Sequence, residues 1–128
     1  MKIEHFAIWV EDLEKMRDFY IKYFGAESND RYHNPTKQFC SYFLSFDSGA
    51  RIELMHKPNL NKASNPNDSL IGYAHFAMSL GDAKRVDELT EILRADGYHI
   101  AGEPRTTGDG YYESVITDPE GNRIELTI

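Results

Sequence analysis

A chain of 128 residues is long enough to bury roughly two-thirds of its unfolded surface around a core, and fourteen basic against twenty-one acidic side chains leave a net charge of −7. That charge, with no basic run to offset it, excludes nucleic acid as an expected partner; the longest apolar stretch, Phe6 to Val10, is far short of the ~20 residues a membrane span needs. With no signal-peptide pattern and Cys40 as its single cysteine, the chain reads as soluble and cytoplasmic, with a buried thiol and no internal disulfide.

In chain order, an alternating run begins at His5, and Asp12 can cap a helix whose apolar positions Leu13, Met16, Phe19, Tyr20, Tyr23 and Phe24 step by three and four before Gly25 ends it. Strand-like runs follow at 28–33, 39–46 and 51–57, the last two joined by a turn at Asp47-Ser48-Gly49-Ala50. Residues 58–70 are rich in Asn, Pro, Ser and Lys and read as a linker. The pattern then restarts. A run opens at His75, Asp82 caps a helix with an expected buried stripe of Val86, Leu89, Ile92 and Leu93, and Gly97 stops it. Strands are expected at 97–103, 111–117 and 123–128, with a turn at Asp118-Pro119-Glu120-Gly121-Asn122.

The restart is more than a similar pattern. His5-Phe6-Ala7-Ile8 returns as His75-Phe76-Ala77-Met78, and Arg51-Ile52-Glu53-Leu54 returns as Arg123-Ile124-Glu125-Leu126, at offsets of 70 and 72 residues. Two matches in the same order mark a duplicated unit, and so long a period means two modules rather than a solenoid. The expected fold is α+β: one domain, 1–128, made of two tandem βαβββ modules, 1–57 and 71–128, with curved mixed sheets and the helices outside.

Side chains alternate across a strand. Phe6, Ile8 and Val10 therefore share one face and leave His5, Ala7 and Trp9 on the other; Ile52 and Leu54 leave Glu53 opposite. The same sorting sets His75 and Glu125 against their apolar neighbours. Singly, a strand His is usually hydrogen-bonded structure and a strand Glu is usually solvated. Together, two imidazoles and two carboxylates at duplicated positions would crowd acidic charge without relief, which a divalent cation supplies. His5, Glu53, His75 and Glu125 are accordingly candidate ligands for one divalent ion, and an N₂O₂ set suits Ni, Zn, Co or Mn.

These residues resemble those of the vicinal-oxygen-chelate superfamily, which includes glyoxalases, bleomycin-resistance proteins and extradiol dioxygenases. The resemblance covers essentially the whole chain and is strongest to bacterial lactoylglutathione lyases, which place two His and two Glu ligands in this order and at nearly these spacings. It implies a homodimer whose sites draw on both subunits, and a metal ion enclosed by the sheets. Extradiol dioxygenases and fosfomycin-resistance enzymes use two His and one Glu, without a ligand matching Glu53, so the resemblance points to lyase or isomerase chemistry.

Two positions depart from the glutathione-binding lyases. Trp9 stands where they typically carry Arg, four residues after the first ligand, and Lys57 stands where they carry Asn, four after the second. Both are candidate substrate contacts, as are Arg105 and Tyr112 in the polar, Gly-rich stretch 105–113, which reads either as a flap over a ligand or as an ordinary hairpin. His33 and His56 lack duplicated counterparts and are expected at the surface. Arg51 and Arg123 either bind an anion or flank their strands. The expected reaction moves a proton next to a metal-chelated carbonyl of a small substrate by way of an enediolate, with Glu125 as base and Glu53 opposite it. The alternatives are an acyl-CoA epimerase of the same fold and a non-catalytic small-molecule binding protein.

Overall fold

The computed structural model describes residues 1–61 and 72–128, so most of the expected linker lies outside the described residues. The chain divides into two compact units, Met1–Ser64 and Asn65–Ile128. In the first, β1 (His5–Trp9) leads into α1 (Leu13–Phe24), followed by β2 (Glu27–Ser28), β3 (Tyr32–Asn34), β4 (Phe39–Ser45) and β5 (Arg51–His56). In the second, β6 (Phe76–Ser79) leads into α2 (Ala83–Ala95), followed by β7 (Ile100–Thr106), β8 (Tyr112–Thr117) and β9 (Arg123–Thr127). Each unit is one helix on one mixed sheet, in orders β1-β5-β4-β2, with β3 also on β4, and β6-β9-β8-β7. In both, the first strand pairs in parallel with the last and the other pairings are antiparallel. The fold is α+β, and among the described residues no helix is long and apolar enough to cross a membrane.

The helices start where their caps dictate. Asp12 accepts from the Lys15 N–H at 3.0 Å and Asp82 from the Arg85 N–H at 2.9 Å, satisfying donors that the first turn leaves unpaired. α1 packs Leu13, Met16, Phe19 and Tyr20 against β4 and β5, over Leu44, Ile52 and Leu54. α2 departs from the expected stripe. Val86, Thr90 and Leu93 are fully buried, whereas Ile92 is 52% exposed. The i, i+4, i+7 face wins because Thr90 donates to the Val86 carbonyl and shares a 2.7 Å bond with the buried Ser114 hydroxyl of β8, so a polar residue sits in the core fully partnered.

Two expected strands are re-cut. The run at 28–33 is split into β2 and β3 because Asn29 intrudes on the ladder: its side-chain oxygen accepts from the Phe43 N–H at 2.7 Å. Three residues, 29–31, then stand between the paired Ser28 and Tyr32, against two between Leu44 and Ser41, which is a bulge. The strand expected at 97–103 begins instead at Ile100. Gly97 adopts φ 87° and the Tyr98 N–H bonds the Leu93 carbonyl, so these residues belong to the helix terminus. The strand also runs through Pro104, which it tolerates because β7 is an edge strand with its register broken there.

Candidate metal centre

The sorting of faces predicted from the sequence is what each sheet displays. Ile52 and Leu54 are buried under α1 and Ile124 and Leu126 under α2, so Glu53 and Glu125 lie on the faces away from the helices. The two registers coincide. Glu53 pairs with Ala7 on β1 and Glu125 with Ala77 on β6, each two residues after the candidate His. A methyl side chain beside each carboxylate leaves its flank open. The other neighbour differs, being Phe43 for Glu53 and Val115 for Glu125.

In the first unit His5 Nε2 stands 3.9 Å from Glu53 Oε2, with the Glu53 side chain only 16% exposed. In the second, His75 Nε2 stands 3.1 Å from Glu125 Oε1, with Glu125 20% exposed. Two donors bound to one ion at ~2.0–2.2 Å are separated by roughly 3–3.4 Å. The second pair has that spacing at 3.1 Å and the first is wider at 3.9 Å. Among the described residues no group of three or more His, Cys, Asp or Glu side chains is gathered to hold an ion. What the structure brings together is two pairs, each of one imidazole nitrogen and one carboxylate oxygen, a donor chemistry that suits a borderline divalent metal.

Glu4 is a residue that the sequence reading missed. Its carboxylate takes the Nδ1–H of His5 and also pairs with the Arg51 guanidinium, which lies 4.2 Å over the Phe43 ring. A carboxylate only accepts, so Nδ1 carries the proton and Nε2 is the atom turned toward Glu53. The hydrogen bond from His5 holds the Glu4 carboxyl below its ordinary value, against the opposing cost of burial and with further help from Arg51. The duplicated position holds Ala74, so His75 lacks this support. Only the contrast between Glu4 and Ala74 within the repeat could have flagged it beforehand.

Trp9 and Lys57 come together: the Lys57 Nζ lies 4.6 Å over the Trp9 ring, on the same face of β1 as His5. Phe39 meets Trp9 edge-on at 6.2 Å and Tyr32 at 6.1 Å, extending an aromatic surface that no motif announced. Arg105 bonds Glu113 at 3.2 Å. Tyr112 does not join Glu125. It lies on the other face of β8, where its hydroxyl donates to Asp87 of α2 at 2.7 Å, because it shares parity with the buried Ser114. His33 is exposed as expected, but His56 is half-buried, with Nδ1 2.8 Å from the Val10 carbonyl.

Residues 2–126 match the model of the Glyoxalase/Bleomycin resistance protein/Dioxygenase superfamily. Lactoylglutathione lyase of Escherichia coli O157:H7 is 27% identical over 130 residues, covering 98% of this chain and 91% of that protein. The lactoylglutathione lyase of Haemophilus influenzae is 26% identical with the same coverage. Among solved structures, glyoxalase I from Zea mays matches with a TM-score of 0.80 at 25% identity, over 98% of this chain, which spans 44% of the maize chain. A glyoxalase family protein from Enterococcus faecalis, 21% identical, matches in fold with a TM-score of 0.80 over 99% of this chain and 97% of its own. Two mixed sheets of one topology, a His–Glu pair repeated at equivalent register and a family match along almost the whole chain lead to one conclusion: the chain belongs to the glyoxalase, bleomycin-resistance and dioxygenase superfamily.

Proposed function

We propose that the chain is a divalent-metal-dependent lyase or isomerase of the glyoxalase I kind, moving a proton on the carbon beside a substrate carbonyl. The observation that carries this reading is the repeated pair, a His Nε2 facing a Glu carboxylate beside an alanine in each unit. His5, Glu53, His75 and Glu125 would hold the ion, which when bound supplies Lewis-acid polarisation of the substrate oxygen. Glu125 would accept the proton from the adjacent carbon and return it to the neighbouring one, with Glu53, its counterpart in the repeat, as the second acid–base candidate. The open flanks at Ala77 and Ala7 give substrate access to both carboxylates. Glu4 keeps His5 in one tautomer and orientation, as a carboxylate behind a metal-binding imidazole does. A homodimer working in the cytoplasm belongs to the same reading, supported by the resemblance to bacterial lactoylglutathione lyases.

The substrate is distinguished by Trp9 and Lys57. They stand where the glutathione-binding lyases carry Arg and Asn, and a flat ring beside an ammonium suits an aromatic or acyl portion next to an anionic group. Turnover of a panel of aldehyde–thiol adducts and acyl thioesters by metal-loaded protein tests the reading. The expected result is proton exchange or product from at least one member, with the methylglyoxal–glutathione adduct a poor substrate beside it. Saturable binding with neither exchange nor product across the panel would overturn the assignment.

A further inference from the structure

Arg105 is on the sheet face it occupies only because β7 is interrupted. Ser114 bonds Thr90 of α2 and Ile116 is fully buried, so Glu113 and Val115 lie on the face away from the helix, and Val115 is the direct neighbour of Glu125. On β7, Gly102 pairs with Val115. Uninterrupted alternation from Gly102 would turn Pro104 to that face and Arg105 toward α2. Instead the register shifts between Gly102 and Arg105, so that Glu103 and Pro104 together oppose Ser114 and Arg105 falls opposite Glu113. Bulges re-aim side chains in this way beside functional sites.

Gly102 then makes room. A Cβ built there would meet the Arg105 Nη1 at 3.0 Å and the Val115 side chain at 3.3 Å, so the guanidinium lies across the space that a side chain would fill. Its Nη2 bonds Glu113 at 3.2 Å and its Nη1 reaches the Glu103 carbonyl at 3.4 Å. Glu113 is 12% exposed and Arg105 49% exposed, so the guanidinium is held by a sequestered carboxylate while about half of the side chain stays open to solvent. A plain cross-strand ion pair requires neither a broken register nor a residue without a side chain, both of which weaken a strand. Here both serve the same guanidinium. A guanidinium carries five N–H donors, so one already paired with a carboxylate still has donors for an anionic group on the Glu125 face.

We propose that Arg105, positioned by Glu113 and Gly102, binds a carboxylate or phosphate of the substrate and is a specificity determinant of this protein. The inference rests on the reading of the Glu125 face as the reaction site. Its test has a binding arm and a turnover arm. In the binding arm, 3-(methylthio)propionate and its neutral counterpart 3-(methylthio)propanol are titrated into metal-loaded protein, with the Val115 methyl resonances as the readout. Wild type is expected to bind the acid at least about tenfold more tightly, with those resonances shifting; Arg105→Met should abolish the preference and Arg105→Lys retain part of it. Gly102→Ala, which displaces the guanidinium without removing it, should weaken acid binding while leaving the native fold by circular dichroism. In the turnover arm, methylglyoxal adducts of 3-mercaptopropionate and 3-mercaptopropanol should show the same preference in kcat/KM. Equal affinity of wild type and Arg105→Met for the acid, with both folded, overturns the proposal. Turnover of no adduct together with an Arg105-dependent preference in binding overturns the reaction assignment and leaves the anion site standing.

Discussion

Removing the Asp118 carboxylate should unfasten the turn that sets the register of β9, and with it the position of Glu125. Asp118 is 3% exposed. Its Oδ1 accepts from the N–H groups of Glu120 at 3.0 Å and Asn122 at 2.9 Å, and its Oδ2 accepts from the Asn122 side-chain amide at 2.8 Å. A hydrogen bond to a charged group contributes ~1.5–3 kcal/mol net. The contributions do not add, because Glu120 is exposed and its N–H finds water once the carboxylate is gone, whereas Asn122 is half-buried. Asp118→Ala is therefore expected to cost about 2–3 kcal/mol, or roughly 10 °C in Tm for a chain of this size. Asp118→Asn keeps the Oδ1 acceptor but sets an amide against the Asn122 amide, so it should fall between, its cost reduced if Asn122 turns its oxygen inward. Thermal unfolding followed by far-UV circular dichroism on metal-free protein is the assay, since bound metal would add its own linkage. An Asp118→Ala protein melting within about 2 °C of wild type would refute the argument that this carboxylate holds the turn.

Glu125→Gln keeps the shape and a carbonyl oxygen but loses the charge and the basicity, so kcat should fall ~10²–10⁴-fold with metal retained; near-normal turnover by metal-loaded variant would move the base elsewhere. Glu4→Ala should weaken metal affinity by roughly 10–100-fold by freeing the His5 ring, as judged by competition with a chromophoric chelator, and an unchanged affinity would dismiss that role. Burial, and then the hydrogen bond to Glu14, push the Tyr42 hydroxyl above its ordinary value of 10.0, with Arg17 opposing. Because the folded state holds that proton more tightly, the stabilisation is complete below the unfolded value and is lost as pH rises through the folded one. Tm should thus decline more steeply above pH ~10 in wild type than in Tyr42→Phe, where the residual slope includes Tyr112, similarly raised by Asp87; parallel profiles would exclude Tyr42.

The duplicated segments were legible in the sequence because repetition and strand alternation are local: His5, Glu53, His75 and Glu125 could be sorted to one face from their neighbours alone. The helix starts were legible for the same reason, since Asp12 and Asp82 cap within their own turn. What escaped depends on partners distant in the chain. Thr90 replaces Ile92 in the core only because Ser114 lies across from it. The bulges at Asn29 and after Gly102 arise from the opposing strand, and the second of them reverses the parity that would have turned Arg105 toward the helix. Trp9 and Lys57 were singled out as separate departures; that they touch follows from the parallel register in which Trp9 pairs with Met55, two residues before Lys57.

Whether the two His–Glu pairs serve one divalent ion is decided by the metal content of the protein. Elemental analysis of protein purified without an affinity tag, followed by titration with Ni, Co, Zn and Mn, should be run on wild type and on His5→Ala, Glu53→Ala, His75→Ala and Glu125→Ala. One ion per chain is expected in wild type, with an affinity loss greater than ~10²-fold in every variant, from either unit, because each removes a direct ligand. Wild-type protein that binds no ion, or variants of one unit that bind as tightly as wild type, would contradict it.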